Sequence, residues 1–207
     1  NRGLGVASTA SATIEVMQKL LQIHVSLLES DPPIWRRVLL SSSTRLPRLH
    51  TILQAVMGWE NYHLHEFRTA TERYGPLSSE DPYDDQLQDE ATVTVGRLMR
   101  EPGDTLEYEY DFGDSWLHTL VLEKVQAPAP GLSYPVCIEG AQACPPEDAG
   151  GMHGYYHYLR VIVDPTHEEH QDLVNWRGPG FDPSAFSLPR INASLKSRAR
   201  APLRSPA

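Results

Sequence analysis

The chain has 207 residues, 40% of them apolar and 22% charged, with a formal net charge of −9. That length supports one well-buried core, the composition is that of a globular domain, and the acidic balance disfavours a nucleic-acid grip by the whole surface. No apolar run approaches the roughly 18 residues of a membrane span, and two cysteines do not make a secreted disulfide framework, so cytoplasm is the expected location.

Residues 1–17 are expected to form a flexible tail; residues 1–13 are rich in Ala, Ser and Thr and lack the order of a signal peptide. The chain opens on Asn1 rather than Met, which fits a trimmed or upstream-extended product. Residues 20–28 read as a first strand, Asp31-Pro32-Pro33 as a stiff turn, and 34–40 as a second strand antiparallel to the first. The period then changes: Leu49, Ile52, Leu53, Val56 and Met57 make the apolar stripe of an amphipathic helix over 44–57. Thr44 suits its N-cap, Pro47 its first turn and Gly58 the C′ position. Residues 63–69 read as a third strand, followed by a turn near Tyr74-Gly75-Pro76 and an acidic loop over 78–90. A short strand is expected at 91–95 and a helical turn at 96–100.

The stretch from Leu106 to Leu122 reads as a central hairpin, with Leu106, Tyr108, Tyr110 and Phe112 alternating with acids and Gly113-Asp114 supplying the turn. A loop of two or four residues puts Asp111 opposite Trp116 and Glu109 opposite His118. Glu107, Glu109, Asp111, Trp116 and His118 then share one face, away from the tyrosines. A loop of three turns His118 toward the tyrosines instead. We adopt the first register. Beyond it, a Pro-rich connector at 127–131 leads to short helices near 155–163 and 168–176 and a turn-rich segment at 178–183.

Two clusters carry candidate chemistry. His63 and His65 are two apart, so on a strand they share a face; with Asp111, Asp114, Trp116 and His118 they are expected to form a polar pocket beside the Gly113-Asp114 turn. His63, His65, Asp111 and His118 could ligate a divalent metal, Zn or Mn, and an open coordination position would permit hydrolysis through an activated water. The alternative is a hydrogen-bonded cluster that stiffens the hairpin. In Pro145-Pro146-Glu147-Asp148-Ala149-Gly150-Gly151 a shaped loop runs into a helix, and Glu147 and Asp148 stand either at a site or at a cap. Cys137 and Cys144 read as structural thiols.

Five blocks also match a known family in order: Pro32 to Val38, Leu49 through Trp59, His63 to Phe67, Tyr108 to His118, and Ala143 to Asp148. Over roughly residues 18–190 the chain resembles the plasmid pRiA4b ORF-3-like family, which includes the TnpR-type passenger proteins of some insertion elements. The resemblance implies a compact α+β domain associated with mobile DNA, and no settled activity. The family usually has a third cysteine after Pro-Pro-Glu-Asp; this chain has Ala149.

The expected architecture is α+β: a mainly antiparallel sheet of about five strands, the 44–57 helix packed across it in a β-grasp-like roll, and a helical C-terminal part. The boundaries are an 18–126 core, a 127–195 subregion packed on it, and a disordered basic tail at 196–207. The leading functional reading is a mobile-element accessory domain that binds a protein or small-molecule partner. The rivals are a metal-dependent hydrolase and a recombination accessory that touches DNA through its basic tail.

Overall fold

The computed structural model describes residues 19–77, 86–178 and 180–200. The expected N-terminal tail, most of the acidic 78–90 loop and the end of the basic tail lie outside the described residues. Eight strands form one sheet, with β1 (Leu20–Leu27), β2 (Trp35–Ser41), β3 (His65–Arg68), β4 (Arg73–Gly75), β5 (Leu87–Asp89), β6 (Thr105–Tyr110), β7 (Trp116–Gln126) and β8 (Val136–Ala141) in the order β5-β4-β3-β6-β7-β1-β2-β8. Every pairing is antiparallel except β4 with β5. The helices are α1 (Leu46–Met57), the single-turn α2 (Val95–Leu98), α3 (Gly151–Ile162), α4 (His170–Arg177) and α5 (Leu188–Arg200). The fold is α+β.

The sheet is built from alternating strands whose inner side chains (Ile23, Val25, Val38, Leu40, Phe67, Tyr108, Leu120) are all buried. The α1 stripe Leu49, Ile52, Leu53 and Val56 joins them in one core, each residue 1% exposed. Helix α1 stops at Gly58, which takes the left-handed conformation (φ 95°) that glycine adopts at no steric cost. Its start lies one residue later than a cap at Thr44 implies. Arg45 occupies the cap with extended backbone, while the Thr44 carbonyl accepts the Val95 N–H at 2.8 Å.

Several expectations are corrected. The expected turn at Tyr74-Gly75 is strand β4, because the chain already reverses at 69–72, where Thr69 N–H donates to the Glu72 carbonyl. The expected strand at 91–95 is broken up: Ala91 and Thr92 finish a 3₁₀ turn begun at Glu90, Thr94 makes a single antiparallel bridge to Arg45, and Val95 begins α2. Strand β8 extends the sheet where no strand was expected, pairing with β2. The stretch expected to become a disordered tail from 196 is helix to Arg200. Leu195 is buried, and Asn192 holds the Cys137 backbone through both its N–H and its carbonyl at 2.9 Å.

Candidate metal centre

The hairpin loop is five residues long, from Asp111 to Ser115, because Tyr110 pairs with Trp116 and Tyr108 with His118. An odd loop reverses the favoured register, so His118 and Trp116 lie on the tyrosine face, fully buried. Within the loop Asp111 adopts φ 60°, a conformation that Asp tolerates better than most side chains. Its Oδ1 accepts the N–H groups of Gly113 (3.0 Å) and Asp114 (3.4 Å), which closes an Asx turn. Its Oδ2 faces His63.

A second loop is bound against the first. Trp59 Nε1–H donates to the Pro145 carbonyl at 3.0 Å, and Glu147 accepts from the Tyr110 hydroxyl (2.5 Å) and the Glu60 N–H (2.9 Å). The Tyr110 hydroxyl is pushed up well above its ordinary value, first by burial and then by the Glu147 carboxylate. Asp114 accepts the Gly150 N–H at 3.0 Å, just before α3 begins, where the positive end of the helix favours a carboxylate. Gly151 has φ 65°, and a Cβ there would stand 2.5 Å from the Asp114 carbonyl oxygen, so only glycine lets the two loops close. Between the anchors, Asp148 turns outward at φ 58°.

These loops meet at His63. Its Nε2 lies 3.0 Å from Asp148 Oδ1 and 3.5 Å from Asp111 Oδ2, and the three donor atoms all fall within 4.8 Å of one another. Donors about 2.1 Å from a common ion stand roughly 3.0–3.4 Å apart in octahedral or tetrahedral geometry, so the two spacings fit edges of a coordination polyhedron. Although close enough for an ion pair, His63 Nε2 makes no hydrogen bond, and it has no solvent contact. One imidazole and two carboxylates suit Zn, Mn or Fe(II). Asp111 is nearly enclosed, whereas the Asp148 side chain is 63% exposed and opens the site to water.

The other expected site residues are elsewhere. Strand β3 begins only at His65, so His63 precedes it in a bend and the two imidazoles diverge. His65 is buried, bonds Glu90 at 2.9 Å and stacks on His50 with ring centroids 3.6 Å apart. His118 donates to the Trp116 carbonyl at 3.0 Å and packs edge-on against Trp59. The metal set His63, His65, Asp111 and His118 is therefore split: His63 and Asp111 converge, and Asp148 joins them from the separate loop. Asp114 and Glu147 serve as anchors between the loops, and Trp116 is core. The convergence of Asp148 with His63 had no local signal in the sequence, since the two are 85 positions apart. Cys137 and Cys144 are both free thiols, and burial pushes the Cys144 thiol up to about 12.

The description "Plasmid pRiA4b ORF-3-like protein" fits residues 19–190. An uncharacterized protein of Sinorhizobium fredii (strain NBRC 101917 / NGR234), y4hQ, is 33% identical over 185 residues, spanning 89% of this chain and 94% of its own length. The crystal structure of a protein of unknown function from Methanosarcina mazei Go1 superposes with a TM-score of 0.76 at 34% identity, over 84% of this chain and 98% of that one. With the match running through both loops of the centre, the chain belongs to the plasmid pRiA4b ORF-3-like family.

Proposed function

We propose that this protein is a metal-dependent ligand-binding domain. His63, Asp111 and Asp148 hold one divalent ion of the Zn or Mn class, and the ion offers its open positions to a small ligand or partner. The observation that carries this reading is His63 Nε2, which is solvent-free, without a hydrogen bond, and aimed between two carboxylate oxygens. An accessory role on mobile DNA is supported by the match to plasmid pRiA4b ORF-3-like proteins. Among the described residues no helix is long and apolar enough to cross a membrane, and the two free thiols suit a reducing compartment.

A metal-dependent hydrolase is the second reading, favoured by the solvent-open Asp148 side of the centre, where an ion would acidify a bound water. It ranks second because the nearby carboxylates of Asp114 and Glu147 are engaged in hydrogen bonds and offer no free base. The test is calorimetric titration of Zn and Mn into tag-free protein stripped of metal. Wild type is expected to bind one ion per chain, and His63→Ala and Asp148→Asn to lose that binding. Absence of binding by wild type for both metals, or unchanged binding by His63→Ala, would refute the site.

A further inference from the structure

A groove of about 900 Å³ lies between the end of α1, the 143–147 segment, the 180–187 loop and the first half of α5. None of His63, Asp111 or Asp148 lines it. Its volume is within the range of small-molecule sites.

Arg36 forms part of the groove wall and is 3% exposed. Its Nε–H donates to the Val56 carbonyl (2.9 Å), Nη1 to the carbonyls of Trp35 and Ala141 (both 2.7 Å), and Nη2 to that of Gln142 (2.8 Å). A guanidinium has five N–H donors, so one on Nη2 is left over. All four acceptors are neutral, and among the described residues no carboxylate pairs with Arg36. The carbonyl end of α1 and the Phe186 ring, 5.1 Å from the guanidinium carbon, offset part of the charge. A buried cation without a counter-ion is costly, and an anion in the groove would neutralise it.

The walls repeat that bias. Arg177 and Arg190 are exposed and have no carboxylate partner among the described residues. The two acids present are already engaged: Glu147 by Tyr110 and Glu60, and Asp182 by the Ser184 N–H (2.9 Å) and hydroxyl (2.6 Å). Beside Arg177, Trp176 is 45% exposed and packs at right angles to Tyr158, so part of the indole is available to a flat ring.

We infer that this groove is a second binding site, for a small phosphate monoester carrying a planar ring, in the class of a nucleoside monophosphate. The phosphate lies toward the arginines and the ring stacks on Trp176. The experiment titrates the full chain with AMP, adenosine and inorganic phosphate, reading the Arg36 Nε–H and Trp176 indole resonances. AMP is expected to shift both saturably, and Arg190→Gln to weaken AMP by about tenfold or more, as loss of a charge-assisted hydrogen bond would. Adenosine and phosphate should each bind more weakly than AMP, and His63→Ala should leave AMP binding unchanged, which separates this site from the metal centre. No saturable shift at millimolar AMP, phosphate binding as tightly as AMP, or Arg190→Gln binding AMP like wild type would each overturn the inference.

Discussion

Mild acid is expected to destabilise this fold through His118. The imidazole has no exposed surface and stands with its ring centroid 5.4 Å from those of Tyr108 and Trp59; its Nε2 has no hydrogen bond. Burial pushes its pKa down from 6.5 to about 4. Because the folded value is depressed, the unfolded chain binds the proton first, and stability falls as pH drops from the unfolded value through the folded one. Linkage with those two values gives a loss of roughly 1.2 kcal/mol between pH 7 and 5.5, and roughly 2.4 kcal/mol by pH 4.5. His50 adds in the same direction, since burial and then the stacked His65 hold it well below its ordinary value. The carboxylates that arginines hold low act in a lower window. Burial opposes the charge on Glu66, but Arg73 and Arg68 outweigh it, and Arg37 holds Glu123 low, so both lose their stabilising partners only below the ordinary carboxylate range. Urea denaturation of wild type and His118→Gln at these pH values is the assay. Wild type no less stable at pH 5.5 than at pH 7, or a His118→Gln variant with the full wild-type slope, would refute the reasoning.

Leu53→Ala, at a site 1% exposed under the sheet, should cost about 2–5 kcal/mol in urea denaturation. Gly151→Ala combines a left-handed φ with a Cβ 2.5 Å from the Asp114 carbonyl. It should lower stability by roughly 1–3 kcal/mol and weaken Zn or Mn binding by displacing Asp148, both readable by calorimetry. Protein denatured in alkylating agent at lysis should carry two alkylated cysteines and no disulfide, and in the native state Cys144 should react slowly because burial pushes its thiol up to about 12.

Periodicity made α1 legible: twelve residues carry one stripe, and the glycine that ends it has a conformational reason. The strands of the central hairpin were equally legible, but their register was not. It depends on a loop with two non-glycine residues in left-handed conformation, Asp111 and Ser115, which no turn signature announces. That single-residue parity moved His118 and Trp116 into the core. The His-X-His pair failed for a related reason, because the strand starts between its two members. In α5, Leu188, Ile191 and Leu195 form a readable stripe that the surrounding basic residues obscured. Asp148 was legible only as a carboxylate in a shaped loop; its partners are set by tertiary closure at Gly151.

The most direct test of the central claim is paramagnetic broadening by Mn added at a small fraction of the protein concentration. Broadening is expected to centre on the His63 ring and on the amides of residues 111–115 and 148–151, with the His50–His65 stack less affected. Sharp resonances throughout these segments, or broadening centred on His65 and His118 instead, would contradict the assignment of His63, Asp111 and Asp148 as the metal centre.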